Sequence, residues 1–404
     1  MSALDSRISW IRLALSLAIS LIGNVGMWAI IVIMPAIEAE FGVDRASAAL
    51  PYTLTMAGFA LGNWVIGAWV DRWGVAPVMA GSAVLIALSF GVATLAPSIL
   101  ILSAIQFVVG FATAASFGPL IADVSQWFLR RRGIAVGIIA SGNYLSGAIW
   151  PLLLADILAG AGWRMAYLVI AGAALLVMLP LTRALRQPVP EAAMQASASA
   201  AAARAQTTGL PQGTLLWLLA VAGVCCCVAM SMPQVHIVAY CVDLGYGPAV
   251  GAEMLSLMLL GGVVSRLVSG LLADRLGGVM TLLIGSSLQM LALFLYLPTS
   301  GLTPLYIVSL VFGLSQGGIV PSYAVIVREY LPPKEAGAKV GLVIMATIVG
   351  MALGGWVSGW IYDMTGSYRL AFINGIAFNA VNVAIMALIL IRSRPRTPGR
   401  AIPA

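Results

Sequence analysis

The feature that most constrains this chain is the return of apolar runs, each roughly twenty residues or more and bounded by Pro, Gly or charge, along nearly its whole length. The runs cover 12–35, 48–70, 77–96, 99–128, 134–158 and 163–182, then 213–240, 250–272, 279–298, 302–330, 338–362 and 368–391. Inside hydrocarbon only helices and closed barrels satisfy every backbone N–H and C=O, and runs of this length fit helices. Composition agrees: 9% of residues are charged, against about 25% in soluble domains. The chain therefore reads as an all-α membrane protein with twelve transmembrane helices. The opening MSALDSRISWIR superficially resembles a signal peptide. The apolar run that follows is too long for a signal core, so a retained first helix is expected.

Between the sixth and seventh runs lies TRALRQPVPEAAMQASASAAAARAQTTGLPQG, rich in Ala, Ser and Pro and without apolar periodicity. It reads as a linker. The expected organisation is a six-helix half at 1–182, a linker at 183–212, a second six-helix half at 213–391 and a tail at 392–404. The Lys and Arg residues cluster at alternate ends of the runs. Only Arg45, Arg164 and Arg369 fall on the opposite side, and Arg266 lies within a span. That asymmetry places both termini in the cytoplasm of a multi-pass protein of the cell (inner) membrane. The net charge of +7 thus orients the chain in a bilayer, and no nucleic-acid partner is expected.

The two halves repeat. GAWVDRWG follows the second run and GLLADRLG the eighth, Pro119 answers Pro321, and GWRMAY answers GSYRLAF, all at an offset of roughly 203 residues. Halves repeated in one orientation imply a pseudo-two-fold axis along the membrane normal.

The duplicated stretch, carried by Gly67, Asp71, Arg72 and Gly74 and again by Gly270, Asp274, Arg275 and Gly277, resembles the Gly-x-x-x-Asp-Arg-x-Gly signature of the major facilitator superfamily. The basic residues that usually follow are replaced by Val75, Ala76 and Pro77 in one copy and Gly278 in the other. Asp71 is then left to the arginines of 130–132 or to a helix N-terminus. WFLRRRGIAVGIIASGNYLSG and the segment from VHIVAYCVDLG to RLVSGLLADRLG are similar to the monocarboxylate porter branch. The resemblance implies a secondary active transporter of small carboxylates working by alternating access, with the site between the halves and Arg266 as the substrate arginine. Animal members of the branch carry an acid four positions before that arginine and a lysine in the first helix. Here Gly262 occupies the first position and the first run has no lysine, so simple proton symport loses its usual groups.

Arg266 is the chemically pointed residue. No charge lies between it and Glu253 or Asp274, and an arginine at the centre of a span costs about 2.5–3.5 kcal/mol on insertion scales. A guanidinium there either binds a carboxylate through two parallel hydrogen bonds or is a structural group satisfied by carbonyls. The first reading is favoured: with Gly262 beside it the arginine has no internal acid, and one cation matches one monoanion. Uncharged groups at similar depth that could orient such a ligand are Asn24, Gln106, Asn143, Tyr144, Gln316 and Tyr323, each weighed against an ordinary interhelical bond. Trp28 and Phe111 are candidate lining aromatics, with packing the commoner role.

His236 and Asp156 are the candidates for proton coupling, His236 being equally readable as an interfacial residue with satisfied nitrogens. Asp123, followed by Arg130 to Arg132, reads as a latch holding the inner face shut. The glycines of the spans have a packing rationale, and Cys225, Cys226 and Cys227 cannot bridge one another. No cofactor and no metal set is expected, and the protein is taken as a monomer.

Three competing functions are open: an organic-anion exchanger of the oxalate/formate type, a drug efflux carrier of the same fold, and, least supported, a membrane sensor or enzyme. Efflux of cationic drugs wants an embedded acid, which these spans lack, and no nucleophile–base pair supports an enzyme. Protons or a counter-anion remain alternative coupling partners.

Overall fold

The computed structural model describes residues 4–43, 45–189, 191–208, 210–299 and 301–393, and these fold almost entirely as helix. Twelve segments are long and apolar enough to cross a bilayer. Spans 1 to 6 are Arg7–Ile31, Leu50–Trp73, Val75–Ala93, Ile99–Gln126, Arg132–Pro151 and Gly160–Arg186. Spans 7 to 12 are Gln212–Asp243, Glu253–Leu276, Gly278–Tyr296, Leu302–Tyr330, Pro333–Thr365 and Arg369–Ser393. Large apolar side chains such as Leu100, Leu176, Trp217 and Leu260 point away from the protein, as lipid-facing residues do. The base, as used below, is the face where span 1 begins and span 12 ends.

Span 1 begins before the apolar run does. It takes in Arg12, which is buried because Asp123 of span 4 accepts its Nε and Nη2 at 3.1 and 3.0 Å. Paired in this way, the charge no longer excludes its helix turn from the apolar layer. The same guanidinium donates to the carbonyls of Leu185 and Gln187 and lies over the Trp127 ring. Asp123 was expected to latch the inner face beside Arg130. Instead it binds span 1 to span 4 within one half, while Arg130 stays exposed. The segment between the halves also differs from a plain linker, since Glu191–Thr208 is a helix. It needs no apolar stripe to form: alanine is the best helix former, and Glu191 sits in the first turn, where the helix dipole favours an acid.

The duplicated signature crosses from half to half. Asp71, at the end of span 2, accepts the Gly337 and Ala338 amides at the N-terminus of the span 11 helix, both at 2.8 Å. Asp274, at the end of span 8, accepts the Gly133 and Ile134 amides at the N-terminus of the span 5 helix, at 2.5 and 3.0 Å. A carboxylate on the free N–H groups of a helix start satisfies donors that have no other partner and meets the positive end of the dipole. Of the two alternatives for Asp71, the structure has the helix N-terminus. The signature glycines fit this arrangement. Gly74 and Gly277 both turn at φ +82°, where a side chain would be strained. A Cβ on Gly67 would lie 2.2 Å from the Gly337 carbonyl oxygen, and one on Gly270 2.7 Å from that of Gly133. Arg72 and Arg275 remain on the surface, Arg72 against Trp73.

Candidate functional site

Two spans are broken in mid-course. Span 4 runs as Ile99–Thr113, a short 3-10 turn and Gly118–Gln126, with Phe117 at φ −120°, ψ −96° between them. Span 10 runs as Leu302–Gln316 and Ile319–Tyr330. The cause is Pro119 in one and Pro321 in the other. Proline has no N–H, so the carbonyl four residues earlier loses its helical partner. In span 10 that carbonyl belongs to Gly317.

Arg266 of span 8 takes it. Its Nε donates to the Gly317 oxygen at 3.2 Å, and its Nη1 reaches across to the Ala140 oxygen of span 5 at 2.5 Å. The guanidinium carbon lies over the ring of Tyr144, 3.4 Å from its centroid, and Arg266 is 4% exposed. Its expected lack of an internal partner is therefore corrected. No carboxylate among the described residues pairs with it, but two carbonyls and an aromatic face do. Carbonyl dipoles soften a buried charge without neutralising it. Span 5 belongs to the first half and span 8 to the second, so Arg266 sits at the seam.

Gln316 stands next to this group with neither its Oε1 nor its Nε2 bonded, although it is 1% exposed. A buried polar atom without a partner costs about 1–3 kcal/mol, and this residue has two. Gly262 lies between Tyr144 and Gln316. A Cβ there would be 3.0 Å from the Tyr144 ring and 3.4 Å from Gln316 Nε2. Span 10 approaches span 8 closely here because Gly317 has no side chain: a Cβ on it would sit 2.1 Å from the Gly262 oxygen. Sequence comparison gave Gly262 only as a missing acid; its packing role needed the fold.

The other polar residues separate by neighbourhood. Asn24 donates to the Ser20 and Ser116 carbonyls, and its Oδ1 accepts from Asn143 Nδ2 at 3.1 Å. Trp28 Nε1 donates to the Asn143 carbonyl. Asn24, Asn143 and Trp28 thus join span 1 to span 5, and Asn143 is the chain neighbour of Tyr144. Gln106 is taken up by Tyr167 and Thr55, and Tyr323 donates to Asn382 at 2.8 Å, each inside its own half. Both make the interhelical bonds that were the alternative for them, as buried polar groups do. Phe111 packs edge-on against Trp69 of span 2.

His236 Nε2 lies 2.8 Å from the Gly355 carbonyl and its Nδ1 3.2 Å from the Tyr368 hydroxyl. A neutral ring with its proton on Nε2 satisfies both contacts, which is the bland alternative for this residue. Asp156 is exposed, beyond the end of span 5.

Comparison with known proteins follows the same lines. The family model of the Major Facilitator Superfamily matches residues 16–311 and 243–403. Monocarboxylate transporter 13 of Rattus norvegicus is 28% identical over 344 residues, covering 84% of this chain and 79% of that protein. Among solved structures, the transporter FucP in its outward conformation superposes with a TM-score of 0.76 at 15% identity, over 96% of this chain and all of that one. The human organic anion transporter MFSD10 superposes with a TM-score of 0.75 at 15% identity, over 94% of this chain and 99% of that one. With twelve apolar spans in that fold and a family model that covers most of the sequence, the chain belongs to the Major Facilitator Superfamily and is an integral, multi-pass membrane transporter.

Proposed function

We propose that the protein carries a small organic monoanion, most simply a monocarboxylate, by alternating access, with Arg266 as the cation that receives it. The observation that carries this reading is the unpartnered amide of Gln316 beside a guanidinium held by two carbonyls and an aromatic face, with no carboxylate among the described residues. A carboxylate between them would take charge-assisted bonds from Arg266 and an N–H from Gln316, the pairing each group lacks. The similarity to a protein named monocarboxylate transporter 13 supports the same substrate class. So does the absence of any second cation at this depth among the described residues.

The geometry also supplies a coupling. Nη1 of Arg266 is spent on Ala140 of the other half, so an arriving anion competes for a bond that ties the halves together. The base is closed by the Asp71 and Asp274 latches, and alternating access requires both to release. From the distribution of basic residues the base faces the cytoplasm.

The test is thermal stabilisation of purified protein across a panel of small mono- and dicarboxylates, repeated with Arg266→Gln. Stabilisation by monocarboxylates that vanishes in the variant is the expected result. A preference for dicarboxylates, or an unchanged response in Arg266→Gln, would overturn the reading. Counterflow in liposomes then separates exchange from net uptake.

A further inference from the structure

Apart from the Arg266 site, at the base, a cavity of about 320 Å³ lies under the helix Glu191–Thr208. Two buried arginines form its floor, Arg132 from span 5 of the first half and Arg328 from span 10 of the second. Arg328 is 1% exposed, yet its Nε and Nη1 have no partner at all. Its Nη2 and the Nη2 of Arg132 converge on one hydroxyl, Ser197 Oγ, at 3.4 and 3.2 Å. The remaining donors of Arg132 go to the carbonyls of Ser125, Phe128 and Arg328.

The carboxylates in the wall are committed elsewhere. Glu329 pairs with Arg204 at 2.8 Å and accepts the Gly278 amide, and Asp274 caps span 5. Among the described residues, neither floor arginine has an acid within ion-pair distance. Two like charges this close, drawn out of water and facing an empty volume, need a counter-charge; a neutral water could fill the hydrogen bonds but not cancel the field. We propose that this cavity binds a phosphate-bearing anion, either free phosphate or the headgroup of an anionic phospholipid. Phosphate is favoured over a carboxylate because two guanidiniums approach from different helices, and a tetrahedral group offers oxygens in more than one plane. The mouth is lined by exposed Arg130 and Arg275, which would draw an anion in, and by exposed Leu129 and Leu276, which suit a lipid neighbour. An occupant would touch both halves and the helix between them, and so hold the base closed. This site is independent of the substrate reading for Arg266.

The experiment uses the full chain, purified without phosphate. One arm titrates inorganic phosphate against chloride at fixed ionic strength and reads the Tm. The other compares nanodiscs of phosphatidylcholine with and without phosphatidylglycerol, reading Tm and the lipid retained in native mass spectra. Stabilisation in the first arm identifies a soluble anion, and in the second alone a headgroup. Arg328→Gln should weaken the effective probe on the order of tenfold or more, and Arg130→Gln and Arg275→Gln on the order of twofold to threefold each, through lost attraction at the mouth. No response of the unaltered protein to either probe would overturn the proposal, as would an unchanged response in Arg328→Gln. Should Arg328→Gln fail to fold, an unchanged response in the Arg130→Gln, Arg275→Gln double variant would overturn it instead.

Discussion

The two halves solve one problem with different chemistry. Each has a proline-broken span with a carbonyl at the break that takes its donor from a neighbouring helix. In the first half the donor set is neutral, Asn24 and Ser20 of span 1 on the Ser116 carbonyl. In the second it is the permanently charged Arg266 of span 8 on the Gly317 carbonyl. The amide closes its network: Asn24 has its oxygen on Asn143 and nothing left to offer. The guanidinium does not, because carbonyls satisfy its donors without cancelling its charge, and Gln316 beside it is unbonded. A repeated scaffold can thus seal one break and keep the other receptive to an anion.

The largest effect expected from that difference is at Arg266. Arg266→Gln should lose on the order of 30-fold or more in apparent affinity for the transported anion, measured by uptake into liposomes, with Arg266→Lys between it and the unaltered protein. Asn24→Ala should instead lower stability by about 1–3 kcal/mol, because it removes the Nδ2 bonds to the Ser20 and Ser116 carbonyls and takes the oxygen partner from Asn143 Nδ2, while moving affinity by no more than roughly threefold. Equal losses of affinity in the two variants would erase the contrast. Next in size are the latches. Asp71→Asn and Asp274→Asn each remove a carboxylate from a helix start, worth about 1 kcal/mol, and should each shift spin-label distances across the base toward an open population, with additive effects. A much larger effect from one copy would show that the signature is duplicated in sequence but not in function. Smaller again is Gly262→Ala, whose methyl would press on Tyr144; affinity should fall by roughly threefold to tenfold with little change in Tm.

The smallest expected effect lies at the span ends opposite the base, where the halves also differ. Glu40 binds Arg164 and Trp163, and the hydrogen bonds from these two hold its carboxyl below the usual carboxylate range. A depressed carboxyl contributes stability above its ordinary value of 4.5 that is lost as pH falls through its lower folded value, so Tm should dip slightly below pH 4.5 and Glu40→Gln should remove the dip. The corresponding region of the second half is an aromatic group: Tyr368 stacks on Tyr362 and meets His236 and Tyr240. Burial, with Asp243 nearby, pushes the Tyr368 phenol up to about 12. A raised phenol keeps its contribution below its ordinary value of 10 and loses it as pH climbs from there toward 12, so Tyr368→Phe should flatten the alkaline limb of a Tm profile and leave the acid limb alone.

Much of this was legible in the residues because it is set by local rules. Span count follows from backbone satisfaction in lipid, and the duplicated signature shows in direct comparison of the halves. Arg266 stands out because an arginine among apolar residues is costly wherever it faces. Its carbonyl partners were not legible, since they depend on Pro321 freeing Gly317 and on span 8 lying beside that break. Arg12 looked like a flanking charge until Asp123, distant in sequence, came within 3.0 Å. Arg132 and Arg328 looked like ordinary basic residues at span ends. Nothing in their own segments says that both are buried and face each other.

By itself, then, the amino-acid order determined the helices, their number, the repeat and the one charge that needs explaining, since these depend on hydropathy and chain geometry within a segment. Only the tertiary structure decided which carboxylate caps which helix, which breaks are sealed, and where unpaired donors remain. Those outcomes depend on distances between residues far apart in the chain, and hydrogen bonds and buried charges are decided over a few ångströms.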